Sequence, residues 1–339
     1  MGWRASLNLS SSYYRDMNQR PLSASSSAHR VGYVRPAVRL FSTAVAIIAM
    51  VTTTANAQLS KPFLWELTKE PAKDAPKDAA KDSKSVVLFG SLHVAKPDFY
   101  PVPDSVQKRF DDAKVLAVEA DVTIPETQQA CTRLAVTRDK LESVLSAEDF
   151  AALSGYIRAA GIPDALIENR KLWLVNLVVV GVELGQLGVD FARGLDVVFL
   201  REAKFAKKRI VEVEGGALQC AALAAAGPAE TAAAMTRFLA AVRQNRMEKR
   251  LIEMLAAYRT GDGVAINRLV NEDYGDSADG VASKRRIFDD RHPAMADKID
   301  GYFKSPDSHF VVIGVGHMYG DNNLLEALAK RGIRAKRID

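Results

Sequence analysis

Cysteine, histidine and tryptophan are scarce here: 2, 5 and 3 residues in 339. Two cysteines, Cys131 and Cys220, exclude a disulfide-dense scaffold and a cysteine-built zinc finger. They read as buried free thiols, although an exported chain could oxidise the pair. Long hydrophobic runs are also missing. Residues 40–51 and 172–182 are the strongest, and both fall short of the ~20 residues that span a bilayer. Asn176 interrupts the second and Glu183 follows it, which predicts a buried core helix. No Ser or Cys sits in a nucleophile elbow, and no glycine-rich loop is spaced to cradle phosphate.

What charge excess exists lies at the N-terminus. Residues 1–57 hold six arginines (Arg4, Arg15, Arg20, Arg30, Arg35, Arg39) and one acid, Asp16. Without them, the 46 basic and 41 acidic residues become 40 of each. The balance excludes a basic footprint for nucleic acid. Arg30, Arg35 and Arg39 precede the apolar run at 40–51, and Ala55-Asn56-Ala57 closes the segment. A basic region, a short apolar region and a small-x-small site predict a secretory signal peptide, cleaved after Ala57. No Cys directly follows the run, so a lipid anchor is not expected. The expected mature protein is periplasmic or otherwise exported, with no stable membrane span. Its residues 58–339 are enough for one large domain.

Within that domain, apolar runs predict strands over 63–67, 85–89, 115–118, 209–213, 310–313 and 334–338. Helical spacing covers 104–113, 127–136, 146–160, 164–187, 217–225, a long stretch 231–258, 295–303 and 323–330. Asn322 is the expected N-cap of the last helix, and Gly332 its C-cap. Residues 276–280 read as a turn cluster. The degenerate Lys-Asp-Ala repeat over 71–84 has too little apolar surface to fold and reads as a flexible loop in a hairpin. Strand–helix–strand order with long helical runs predicts an α/β fold: a mixed, partly parallel sheet flanked by helices, with a large helical insertion.

Chemistry concentrates where strands end. Gly90-Ser91-Leu92-His93 and Gly314-Val315-Gly316-His317 share one frame, and each follows an apolar strand. The strands at 115–118 and 209–213 run into Glu119 and Glu214. In open α/β sheets the carboxyl ends of strands line the ligand crevice. Two imidazoles and a carboxylate form a common set for a divalent metal that keeps a position open for water. Without metal, a histidine could act as general base on water while a glutamate orients it. His309 begins its strand at the opposite end from His317 and reads as structural.

These residues resemble those of the TraB/GumN family, whose members include pheromone-shutdown proteins and TIKI-type metalloproteases. The likeness is carried by Phe63-Leu64-Trp65, by 88–94 with Tyr100-Pro101-Val102-Pro103, and by Val118-Glu119-Ala120-Asp121. Gly194-Leu195-Asp196, Val213-Glu214 with Gln219, and Gly314–His317 with Gly320 complete it. The resemblance implies an active-site core of His93, Glu119 and His317, with Glu214 and Arg291 nearby. Four features depart from the family pattern. Ser91 stands where Thr is usual, Leu172 replaces the Pro of Lys-Pro-Trp, His292 follows Arg291 in place of Asn, and the Lys-Asp-Ala loop is extra. The resulting expectation is an exported metal-dependent hydrolase of a peptide or other amide. Its divalent metal (Mn, Zn or Co) would be held by His93, Glu119 and His317. The alternative is a non-enzymatic protein that sequesters a peptide signal or haem in the same cleft.

Overall fold

The computed structural model describes residues 59–69 and 86–338. The expected leader, its cleavage site and the 71–84 loop lie outside these residues.

Six strands form one mixed sheet: β1 (Leu64–Lys69), β2 (Val86–Ser91), β3 (Val115–Val118), β4 (Arg209–Glu212), β5 (His309–Gly314) and β6 (Ile333–Arg337), ordered β4-β3-β5-β2-β1-β6. The four at the β4 side are mutually parallel, while β1 runs antiparallel to both β2 and β6. Parallel strands need crossover connections, which the helices supply. Every residue of β2, β3 and β5 is buried. That is why these strands read as continuous apolar runs without alternation. Register aligns Ser91 with Gly314 and Val118 with Val312, so the parallel strands end along one edge.

Helices follow in the order α1 (Asp104–Asp112), α2 (Pro125–Ala135), α3 (Leu141–Val144), α4 (Ala147–Ala159), α5 (Leu172–Gln186), α6 (Leu195–Phe205) and α7 (Gly216–Ala224). Then come α8 (Pro228–Arg243), α9 (Arg246–Thr260), α10 (Gly263–Tyr274), α11 (Ala278–Ile287), α12 (His292–Tyr302) and α13 (Leu324–Ala329). The main core lies between sheet and helices, where Phe89, Phe110, Phe199 and Phe310 pack ring against ring. Each buried side chain of this kind contributes about 1.5–3 kcal/mol. A second core of Leu153, Val175, Val179, Met235 and Leu239 joins α4, α5 and α8. It gives the helical insertion its own apolar centre.

Five expectations need correction. The cysteines are not free thiols: Cys131 of α2 and Cys220 of α7 form a disulfide. The expected helix 231–258 is two helices, broken where Asn245 takes a left-handed φ of 53°. Asn tolerates that region better than most residues, so the break leaves no Gly or Pro mark. The 164–187 stretch is a short 3-10 turn followed by α5, with Asn169 at φ 55° between them. The 276–280 cluster opens α11, whose N-cap is Ser277. The caps of α13 are Asn323, whose side chain accepts the Glu326 N–H, and Lys330, not Asn322 and Gly332; Gly332 lies two residues beyond Lys330 at φ 72°.

Candidate active site

The four polar strand ends stand along one edge in the order Glu214, Glu119, His317, His93, following β4, β3, β5 and β2. Backbone bonds fix them there. The Glu119 carbonyl accepts the N–H groups of Glu214 and Gly215, at 3.1 and 2.9 Å, which holds the end of β4 beside β3. Leu92 O accepts the Leu195 N–H at 2.9 Å, so α6 begins against the His93 segment. Gly194 sits in that contact, where a Cβ would come 2.4 Å from the His93 carbonyl oxygen. Only glycine has room there.

Glu119 is the hub. Its Oε1 accepts the Gly314 N–H at 2.5 Å, and its Oε2 accepts from Gln219 Nε2 at 2.7 Å and from Arg291 Nη2 at 3.3 Å. His317 Nε2 lies 3.9 Å from Oε2. A Cβ on Gly314 would meet His93 Nε2 at 3.1 Å and Glu119 Oε1 at 3.2 Å. The His93 ring and the Glu119 carboxylate therefore close over the same glycine. Arg291 also pairs with Glu214, Nε to Oε1 at 2.9 Å and Nη2 to Oε2.

The hydrogen-bond partners assign the tautomers of His292 and His317. His292 Nδ1 lies 2.7 Å from the Asn322 carbonyl, which can only accept, so Nδ1 carries the hydrogen. Burial pushes the His292 pKa below its ordinary value, and the neutral ring leaves Nε2 as an acceptor. His317 Nδ1, 2.9 Å away, donates to it. The Nε2 lone pair of His317 is then free and faces Glu119. His93 Nδ1 lies 3.0 Å from Asp196 Oδ2 and donates to it, which leaves Nε2 toward Gly314.

Charge states follow from these contacts. Desolvation opposes a charge on His93, but Asp196, as charge and hydrogen-bond partner, carries its pKa up to about 9. The His93 side chain is 56 % exposed, so water screens part of that attraction. Burial pushes the His317 pKa down to about 3, against the pull of Glu119. Burial alone would raise Glu119, yet the neighbouring imidazoles, Arg291 and the Gly314 N–H bring it down to about 2. Near neutrality His317 is uncharged, so His93, Arg291 and the Gly314 N–H hold the carboxylate anionic.

The structure thus brings His93, Glu119, His317, Glu214 and Arg291 into one neighbourhood. His309 lies at the far end of β5, buried and stacked on Tyr302. Sequence reasoning gave no role to Asp196 or Gln219, although both stand in segments noted for family likeness. The family likeness places His292 near the site as a departure able to alter substrate or metal preference, but the sequence holds no sign of its pairing with His317. All three lie on helices, and only packing brings them to the strand ends.

A sequence profile of the TraB/PrgY/gumN family matches residues 77–337. The chain belongs to that family. It is 26 % identical over 242 residues to the Uncharacterized protein YbaP of Escherichia coli (strain K12), covering 71 % of this chain and 86 % of that one. The Uncharacterized protein YbaP of Shigella flexneri matches to the same extent. No solved structure matches. The TraB/PrgY/gumN match spans all five expected site residues.

Whether this family site suits a metal is tested by its donors. His317 has Nδ1 tied to a partner and a free Nε2 lone pair, the usual anchoring of a metal-ligating imidazole, and His93 has the same anchoring once it gives up the proton that Asp196 favours. Glu119 Oε1 carries one hydrogen bond and keeps a further lone pair. As the side chains stand, no three His, Cys, Asp or Glu groups among the described residues lie close enough to hold an ion together. The donor types are those that ligate divalent metals, and the side chains as they stand do not close around one position.

Proposed function

We propose that this protein is an exported hydrolase of peptides or other amides that works with a divalent metal, Mn, Zn or Co. The observation that carries the reading is the convergence of the His93 and His317 Nε2 atoms on the Glu119 carboxylate. His93, His317 and Glu119 would hold the metal. When bound, a metal in such a set polarises a carbonyl and lowers the pKa of its water. The remaining groups serve that chemistry. Asp196 and His292 fix the two imidazoles. The Arg291 guanidinium, held by Glu214, presents a positive charge where a carbonyl oxygen would become anionic. Gln219 and the Gly314 N–H keep Glu119 in place.

Histidine general-base chemistry without metal is the second reading, favoured by one contact: Arg291 already occupies Glu119 Oε2. In that case the His317 Nε2 lone pair would take the proton of water. Export is supported by the leader pattern of residues 1–57 and by the Cys131–Cys220 bond, since disulfides persist in oxidising compartments. An internally quenched peptide library tests the activity, incubated with chelated protein and with protein resupplied with Mn, Zn or Co. Metal-dependent cleavage that is lost in Glu119→Gln supports the proposal. Equal cleavage by chelated protein favours the general base. No cleavage under any condition removes the hydrolase reading.

A further inference from the structure

The pocket at the strand ends has two apolar lobes that share a charged centre. One, of about 370 Å³, lies toward α6 and is walled by Val118, Val122, Phe191, Val197 and Val312. The other, also about 370 Å³, opens toward α9, α10 and α11 and is walled by Leu223, Met254, Ile266, Val270, Ile287 and Phe288. His93, Glu119 and Gln219 border both. The charged groups are gathered at that centre, with Asp196 on the first side and Arg291 and His317 on the second; Ser91 and Tyr274 add only hydroxyls to the second lobe. Each lobe is within the size range of a small-ligand pocket.

A ligand that reaches the centre must place something in each lobe. An apolar group would displace water from walls that bond it poorly. A charged group would lose its hydration and find no opposite charge along those walls. The centre supplies the opposite environment: a carboxylate, a guanidinium and two imidazoles that suit one polar linkage.

We infer that the substrate is an amide flanked on both sides by bulky apolar groups, one for each lobe, with the amide at His93, Glu119 and His317. The inference rests on the hydrolase reading only for the bond that is cut; occupancy of the lobes does not depend on cleavage. Binding is therefore measured with a hexapeptide whose central amide is replaced by a hydroxyethylene linkage, which cannot be hydrolysed. Four versions carry leucine at both central positions, aspartate at the first, aspartate at the second, or aspartate at both.

Calorimetry on the intact protein should show the double-leucine peptide binding at least tenfold more tightly than either single-aspartate peptide. The double-aspartate peptide should be weakest. Val197→Trp and Met254→Trp fill one lobe each, and each should abolish the preference at one position alone. If a variant fails to fold, the four peptides on unmodified protein still decide. Equal binding of all four, or no binding by any, overturns the inference. Tight double-leucine binding without cleavage of the parent amide would leave this inference standing and remove the hydrolase. Indiscriminate cleavage would do the reverse.

Discussion

Asp196 favours a proton on His93, whereas burial strips one from His317. Each shift makes a testable claim at the scale of one residue. The His93 pKa is raised from 6.5, so its pairing stabilises the fold fully below pH 6.5 and is lost as pH rises through about 9. Asp196→Asn should therefore drop the His93 pKa to 6.5 or below, read from the imidazole proton shifts by NMR. A value still near 9 would show that Asp196 is not the cause. His317 has the opposite sign. Its stabilisation is present above 6.5 and is lost as pH falls toward about 3. The melting temperature should fall between pH 7 and 4, with a linked loss of about 3 kcal/mol. His317→Gln should flatten that slope, and an unchanged slope would contradict the assignment. The histidines and Glu119 were legible in the sequence because each follows an apolar strand. Asp196, Gln219 and His292 were not, since their partners stand 103, 100 and 25 residues away.

Elements were legible in proportion to their apolar density. All six strands were recognisable, because the central ones are buried on both faces and the outer ones, β4 at one edge and β1 and β6 at the other, keep apolar residues among polar ones. The break between α8 and α9 was not, because Ala-rich sequence runs up to it and Asn245 carries the turn without Gly or Pro. The α2–α7 contact was equally silent. Gly216 lies so close to Thr127 that a Cβ would come within 2.1 Å of Thr127 Cγ2, and Cys131–Cys220 spans the same two helices across 89 residues. That bond pins α7, which carries Gln219 to Glu119. Removing it with Cys220→Ala should cost about 2–4 kcal/mol in denaturant unfolding. A change below a few tenths would mean that packing alone holds the two helices.

At the scale of the whole molecule, the four parallel strands deliver Glu214, Glu119, His317 and His93, and helices deliver the Asp196, Gln219 and His292 side chains that bond to them. No helix among the described residues is long and apolar enough to cross a membrane. Export through the leader predicts a mature protein beginning at Gln58. N-terminal sequencing from an extracytoplasmic fraction checks this, and recovery only in membranes with residues 40–57 attached would show an anchor instead. The central claim is that strand ends distant in sequence build one metal site, and metal content tests it most directly. Elemental analysis should find a divalent metal in unmodified protein and in His309→Ala. His93→Ala and His317→Ala should each lose it while circular dichroism shows the fold intact. Undiminished metal in both of those variants would contradict the account.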